Sequence, residues 1–288
     1  WANIRGLLKN NINDLKLYEQ DDYGAKKVDV WGVSDKNLFL EATKILAKQQ
    51  KPFFAVIQTA DNHRPYTIPT EDQAEFIKVE LPTDTLTKYG FVSNDELNAF
   101  RYTDFSYRKF IEAARNTPFF KNTVFVFVGD HGIRGDAGNM FPKAWTEQAL
   151  TTVHVPLLFY APGILMPDRR DNVCSQLDIL PSVAGLLSVP FKNTAMGRNL
   201  FDSALKKDLF RYSSAFIIDP DEKKIGIVSD DYYLRKTISK GTTEFVSIRN
   251  NDKIPAGASA DSIKNKLSAM ADAYYRTAQY LLYHNKKQ

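Results

Sequence analysis

Short apolar runs alternate with amphipathic stretches along the first part of the chain. The runs at 53–57 and 124–128 are rich in aromatic and β-branched residues and too short for helices, so both are predicted to be strands buried on two faces. Helices are predicted to begin at Ser34 and Asn94, where a capping residue precedes apolar positions at helical spacing. This alternation predicts an α/β fold with a mostly parallel central sheet flanked by helices.

The pattern changes after residue 201, where short apolar stretches are separated by turn residues. Strands are predicted at 210–218, 224–228, 232–238 and 244–248. A helix over 262–284 closes the chain, because its apolar residues fall on one face. The sequence thus predicts a larger α/β part over 1–201 and a small α+β subdomain over 202–288, which holds an antiparallel sheet and the terminal helix.

Composition narrows the classes of protein that the chain can represent. Apolar residues make up 43% and charged residues 25% of the 288 positions, which is ordinary for a globular protein with a sizeable core. The net charge of +4 fits anionic substrates or an anionic membrane surface but is too small to indicate nucleic acid binding. The chain begins at Trp1, without an initiator Met or a signal peptide, and we interpret it as a piece of a longer protein.

Asp130 and His131 directly follow the apolar run at 124–128 and are predicted to lie at the carboxyl end of its strand, where α/β sheets bind ligands. A carboxylate and an imidazole held side by side suit Zn²⁺ or Mn²⁺. Both can reach one ion if the chain turns here, and Gly129 and Gly132 permit such a turn. The alternative is that Asp130 caps the next segment and His131 is an ordinary loop residue.

His63 and Arg64 follow the other predicted buried strand, at 53–57. Arginine and protonated histidine suit a phosphate or sulfate group, and His63 could also protonate a leaving oxygen. The alternative is a solvated loop with a structural histidine. Near the start of the chain, Trp1 and Arg5 could form a substrate wall and an anion contact, or belong to a surface loop with one buried tryptophan.

Two further residues are given structural roles. His154 stands at the start of a third predicted strand, which places it away from the ligand-binding crevice if that strand is parallel to the others. Cys174 is the single cysteine, so the chain contains no internal disulfide, and it is interpreted as a small, buried and inert thiol.

Several short motifs, taken as an ordered set, resemble the alkaline phosphatase/sulfatase superfamily. The resemblance is strongest to the branch of lipoteichoic acid synthases and phosphoethanolamine transferases. The motifs are Asn62-His63-Arg64-Pro65-Tyr66, Asp130-His131-Gly132, Val155-Pro156-Leu157-Leu158 before Ala161-Pro162-Gly163, Ser175-Gln176-Leu177-Asp178 and Met196-Gly197-Arg198. The resemblance implies an alkaline-phosphatase-like fold, of which this chain would be the C-terminal part.

The resemblance also implies a role for each candidate site residue. Asp130 and His131 would bind one divalent metal ion, Mn²⁺ or Zn²⁺ with Mg²⁺ as an alternative, and His63 would contact the substrate phosphate. Trp1 and Arg5 loosely match a Trp-Asn-Arg segment that contacts the head group in lipoteichoic acid synthases. The nucleophilic threonine and an acidic metal ligand would lie upstream of Trp1. Cys174 lacks the Cys/Ser-x-Pro-x-Arg context of the sulfatase nucleophile.

The implied enzyme transfers or hydrolyses the phosphodiester head group of a lipid, phosphoglycerol or phosphoethanolamine, at the outer face of the bacterial cytoplasmic membrane. It would be attached through a missing N-terminal part, and this chain alone would be inactive. One alternative is a hydrolase of sulfate or phosphate monoesters on the same fold. Another is a non-catalytic domain that keeps the sheet and has lost the chemistry.

Overall fold

The structure is a computed structural model, which describes residues 4–138, 140–207, 212–219, 223–249, 254 and 257–284. The chain divides into two compact units. One comprises Trp1–Thr87 and Phe91–Thr123, and the other comprises Lys88–Gly90 and Val124–Gln288. The predicted boundary between residues 201 and 202 stays a prediction. In the described part of the chain, no helix has both the length and the apolar character of a membrane span.

The first unit is mainly helical. Its helices are α1 (Ile4–Asn11), α2 (Asp35–Leu46) and α4 (Asn94–Ala114), and α3 (Thr83–Lys88) begins in it; 3-10 turns lie at Gln20–Asp22, Thr70–Asp72 and Phe120–Asn122. Helices α2 and α4 pack together through rings such as Phe39 and Phe110, whose centroids are 4.7 Å apart.

The starts of the two longest helices of this unit follow from their capping residues. Ser34 caps α2 as predicted, because its hydroxyl accepts a hydrogen bond from the Asn37 amide. The predicted cap of α4 at Asn94 is wrong by one residue. Ser93 is the cap: its backbone is extended and its hydroxyl accepts from the Glu96 amide at 3.1 Å, so Asn94 is the first helical residue.

The predicted buried strand at 53–57 is wrong. These residues form no strand, and the side chains of Phe54 and Val56 are 73% and 81% exposed. An apolar run shows that a segment can be buried, but burial also requires a partner, and no described strand pairs with this one. Phe53 still meets the edge of Phe119, with ring centroids 5.7 Å apart.

The second unit contains a short two-stranded sheet of β1 (Phe125–Val128) and β2 (Leu157–Tyr160). The strands are antiparallel, with Phe125 opposite Tyr160 and Val128 opposite Leu157. The predicted parallel pairing is therefore not found in this sheet. Nor is β1 buried on both faces, because Phe125 is buried and Val128 is exposed. The antiparallel direction brings the start of β2 beside the end of β1, so the segment just before β2, which contains His154, lies near that end. This corrects the predicted placement of His154.

The predicted C-terminal sheet and helix are confirmed. Strands β3 (Ser214–Asp219), β4 (Lys224–Ser229), β5 (Tyr232–Thr237) and β6 (Thr243–Ser247) form an antiparallel sheet in chain order. The long helix α7 (Ala258–His284) packs against this sheet, and its Leu267 and Ala271 are buried with Ile225, Ile227 and Leu234. Residues 210 and 211 of the first predicted strand lie outside the described residues.

Along the chain, α5 (Lys143–Glu147) and a 3-10 turn at Leu150–Thr152 lie between β1 and β2. Helix α6 (Ile179–Leu186) and 3-10 turns at Gln176–Asp178 and Ser203–Lys207 lie between β2 and β3. A buried ion pair holds the start of α6. Arg198 donates from its backbone N to Asp178 Oδ1 (2.7 Å) and from Nη2 to Asp178 Oδ2 (2.6 Å) and the Ser214 carbonyl (2.9 Å). At Gly197, a Cβ atom would lie 1.8 Å from the Leu177 carbonyl oxygen. The Met-Gly-Arg motif is thus a packing element.

Candidate metal and anion sites

Asp130 and His131 lie together in the turn that follows β1. The His131 amide donates to Asp130 Oδ1 at 2.8 Å, and His131 Nε2 is 3.6 Å from Asp130 Oδ2. The two side chains are 81% and 71% exposed. A carboxylate oxygen and an imidazole nitrogen therefore face each other at the surface of this unit.

The backbone of this turn is held from two sides. Gln176 Nε2 donates to the carbonyls of Gly129 (2.6 Å) and Asp130 (2.8 Å), and the Gly132 amide donates to the Thr152 carbonyl at 2.8 Å. These bonds hold the backbone from which the Asp130 and His131 side chains project.

The two glycines are required for a different reason from the predicted one. Neither Gly129 nor Gly132 has a positive φ angle, so a left-handed turn is not what they supply. A Cβ atom on Gly132 would lie 2.0 Å from the Thr151 carbonyl oxygen, and one on Gly129 would lie 2.9 Å from the Val155 side chain. The glycines allow the neighbouring segment to pack against the turn.

The donor set of this turn fits a divalent metal ion. His131 Nδ1 is 2.9 Å from the Gly132 carbonyl, so the tautomer that donates this hydrogen bond leaves a lone pair on Nε2, which lies 3.6 Å from Asp130 Oδ2. Metal-binding histidines usually donate their other ring N–H in this way. The described residues contain no cluster of three His, Cys, Asp or Glu side chains, so Asp130 and His131 would supply only part of a ligand set.

His154 lies near this turn but is packed against aromatic rings. Its ring meets the edges of Trp145 and Phe141, with centroids 4.9 Å and 5.8 Å apart, and burial lowers its pKa. Trp145 is itself held by a hydrogen bond to the Ile248 carbonyl at 2.8 Å. These contacts give His154 a packing role.

In the first unit, His63 and Arg64 lie exposed on the loop after residue 57. The loop is held at several points. The indole N–H of Trp31 donates to the Arg64 carbonyl at 2.7 Å, and the Tyr66 hydroxyl donates to Glu96 Oε1 at 3.0 Å. The Arg64–Pro65 peptide bond is cis. The loop is thus well anchored and presents the cationic guanidinium of Arg64 and the imidazole of His63 to solvent. Such a pair of hydrogen-bond donors suits an anion.

Two aspartates tie the same loop to the start of α2. The Asp35 amide donates to Asp61 Oδ2 (2.6 Å), and the amides of Ala60 (2.8 Å) and Asp61 (3.2 Å) donate to Asp35 Oδ1. Burial raises the pKa of Asp35 to about 6. Burial and the charge of Asp35 raise the pKa of Asp61 to about 8. This pair was not predicted, because nothing in the sequence relates positions 35 and 61.

The raised pKa values predict that the protein loses stability as pH rises. The pKa of each aspartate is near 4 in the unfolded chain, and in the folded protein it is about 6 for Asp35 and about 8 for Asp61. At pH values between these limits the folded state binds more protons than the unfolded state. The free energy of unfolding should therefore fall across this window by more than about 1 kcal/mol. Urea unfolding from pH 4.5 to 8.5 measures the slope, which should flatten in Asp35→Asn and persist in the exposed control Asp84→Asn. An equal slope in Asp35→Asn and wild type would refute the assignment.

The remaining predicted residues lie at the start of the chain. Arg5, in α1, forms an exposed ion pair with Glu19, and its Nε donates to Glu19 Oε1 at 3.2 Å. A substrate anion would have to compete with Glu19 for this guanidinium. Trp1 lies outside the described residues.

Residues 6–189 match the Sulfatase family model, which is more than half of the chain, and the chain belongs to this family. This match confirms the predicted superfamily, and the similar proteins described next support its lipoteichoic acid synthase-like branch.

Similar proteins of known sequence include lipoteichoic acid synthases. The chain is 26% identical over 171 residues to the lipoteichoic acid synthase-like YvgJ of Bacillus subtilis, covering 56% of this chain and 26% of that protein. It is 24% identical over 246 residues to the lipoteichoic acid synthase of Staphylococcus aureus, covering 83% of this chain and 36% of that protein. The chain thus spans about a quarter to a third of the length of these curated relatives.

Solved structures confirm the fold class. Ps i-CgsB, crystallised in complex with k-i-k-neocarrahexaose, aligns with a TM-score of 0.60 at 17% identity, covering 83% of this chain and 53% of that one. The sulfatase-like yidJ of Bacteroides fragilis aligns with a TM-score of 0.57 at 15% identity, covering 87% of this chain and 60% of that one.

Proposed function

We propose that the chain is part of the catalytic region of a metal-dependent enzyme that transfers or hydrolyses a phosphoryl ester. The observation that carries this proposal is the facing of His131 Nε2 and Asp130 Oδ2 at 3.6 Å, on a turn fixed by Gln176. Membership of the Sulfatase family supports the reaction class. The likeness to lipoteichoic acid synthases favours a lipid phosphodiester with a phosphoglycerol or phosphoethanolamine head group.

Asp130 and His131 are the metal ligands in this proposal. The Gly132 carbonyl orients the imidazole by accepting the Nδ1 proton, and the His131 amide orients the carboxylate. A divalent ion here, Mn²⁺ or Zn²⁺ with Mg²⁺ as an alternative, would lower the pKa of a nucleophile and stabilise developing negative charge. The nucleophile and the remaining ligands would come from a part of the protein outside this sequence.

His63 binds the substrate phosphate and Arg64 adds a second anion contact. Both side chains are exposed, while their backbone is anchored by Trp31 and by the Asp35–Asp61 hydrogen bonds. Fixed donors of this kind stabilise an anion without reorganising, which is the electrostatic contribution that phosphoryl transfer requires. Trp1 and Arg5 remain proposed substrate contacts, Arg5 through exchange of its ion pair with Glu19.

The proposed setting follows from the same likeness. The enzyme would act at the outer face of the bacterial cytoplasmic membrane, attached through another part of the protein. A transferase requires a second pocket for an acceptor alcohol, whereas a hydrolase requires only water. Sulfuric or phosphoric ester hydrolysis is the second candidate, favoured by the structural likeness to sulfatase-like proteins.

We expect the 288-residue chain alone to show no turnover. Among the described residues, Asp130 and His131 are not joined by a third metal-binding side chain, so any metal they hold should bind weakly. The test is to assay a chromogenic phosphodiester and a chromogenic sulfate ester with Mn²⁺ or Zn²⁺, using the chain alone and the complete protein. Preference for one ester in the complete protein separates the two candidate functions.

Two outcomes would contradict this proposal. Turnover by the chain alone that is abolished by His131→Ala would show that the nucleophile lies within this sequence. Absence of turnover and of bound metal in the complete protein would favour the non-catalytic domain.

A further inference from the structure

Trp31 makes two contacts with the loop that carries His63. Its ring lies against the His63 ring, with centroids 4.1 Å apart and planes tilted by 48°. Its indole N–H donates to the Arg64 carbonyl at 2.7 Å. Trp31 is nevertheless 38% exposed as a residue, so it is not simply a core residue.

The backbone around Trp31 is held in a tight turn. The Trp31 amide donates to Asp29 Oδ1 at 2.8 Å, and the Val28 amide donates to the Gly32 carbonyl at 2.7 Å. Gly32 has a φ of +115°, a conformation that side-chain-bearing residues rarely adopt. The turn therefore fixes the backbone from which the indole projects.

The Arg64 carbonyl connects the two rings. His63 Nδ1 lies 3.2 Å from this oxygen, so the carbonyl can accept from the indole and from the imidazole through its two lone pairs. The tautomer of His63 that carries its proton on Nδ1 makes this bond. Its Nε2 then carries a lone pair when the ring is neutral and an N–H donor when the ring is protonated.

We propose that Trp31 is a positioning residue that fixes the ring orientation and the Nδ1–H tautomer of His63. The inference rests on the proposed function of His63 as the phosphate contact. The indole face limits rotation of the imidazole, and the indole N–H holds the carbonyl that accepts the Nδ1 proton. When it is protonated, an imidazole held in this way presents Nε2–H to an anion without prior rearrangement.

The first readout is the tautomer of His63, measured from imidazole ¹⁵N chemical shifts in the complete protein at a pH where the ring is neutral. His63→Ala identifies the resonance. Wild type should show the Nδ1–H form. Trp31→Phe keeps a ring but loses the N–H, and Trp31→Leu loses both. The Nε2–H form of His63 should therefore appear in Trp31→Phe and be more populated in Trp31→Leu.

The second readout is kcat/KM on the chromogenic phosphodiester. It should fall by about a hundredfold in Trp31→Leu and less in Trp31→Phe, since misplacing a reacting group by about 1 Å costs that much. Tyr23→Phe is the matched control. It removes an exposed side-chain hydrogen bond to the Tyr18 carbonyl in the same unit, and it should change neither readout.

Each outcome decides the proposal. If wild-type His63 is in the Nε2–H form, or if the tautomer is unchanged in both Trp31 variants, Trp31 does not position His63. If Trp31→Leu does not fold, the tautomer in Trp31→Phe decides. If His63→Ala keeps full turnover, the proposed role of His63 fails, whereas the tautomer data still decide whether Trp31 positions its ring.

Discussion

The Asp130→Asn variant of the complete protein should bind its divalent ion more than about a hundredfold more weakly than wild type, and its turnover should fall in parallel. Losing an outer partner of a metal ligand already costs about 10–100-fold, and Asp130 is proposed to be a ligand itself. The amide keeps the shape of the side chain, and its oxygen can still accept from the His131 amide. What is lost is the negative charge that holds the cation.

The matched contrast is His63→Ala. Its proposed partner is the substrate anion, so metal content should stay at the wild-type level while turnover drops by about 10²–10³-fold. Metal stoichiometry of both purified variants, measured with turnover on the same samples, separates the two roles. Equal stoichiometry in Asp130→Asn and wild type would remove Asp130 from the ligand set.

The second large effect concerns stability. Asp178→Asn should lower the free energy of unfolding by about 3–5 kcal/mol, because it leaves the buried Arg198 guanidinium without its counter-charge. The carboxylate also accepts from the backbone N–H of Arg198. The variant therefore disturbs hydrogen bonds from both the backbone and the guanidinium of Arg198.

Denaturant unfolding of the purified protein measures this loss. Asp171→Asn is the control: Asp171 pairs with Arg169 at 3.0 Å on the surface, and exposed pairs contribute at most about 1 kcal/mol. A similar, small change in both variants would show that the buried pair adds little beyond its hydrogen bonds.

Elements formed from nearby residues were predictable from the sequence. The four C-terminal strands and α7 follow from alternating and helical apolar spacing together with turn residues, and the structure moves their bounds by only a few residues. The prediction of a buried strand at 53–57 failed because burial requires a partner that local sequence does not reveal. The antiparallel pairing of β1 and β2 also depends on segments far apart in the chain.

In the candidate site, residues in local motifs could likewise be predicted, whereas the distant residues that contact them could not. Asp130, His131 and His63 could be proposed as site residues because each follows an apolar run and lies in a recognisable motif. The residues that hold them were missed, because Gln176 lies 46 positions from Asp130 and Trp31 lies 33 from Arg64. Tryptophan and glutamine have no spacing rule that would reveal a hydrogen bond to a distant carbonyl. The close approach at Gly132 is likewise visible only once Thr151 is placed against it.

Anomalous diffraction from crystals of the complete protein grown with Mn²⁺ tests the central claim most directly. We predict an anomalous peak bonded to a carboxylate oxygen of Asp130 and to Nε2 of His131, with His131 Nδ1 still donating to the Gly132 carbonyl. A fully occupied manganese site that contacts neither residue would contradict the assignment of this turn as the metal site.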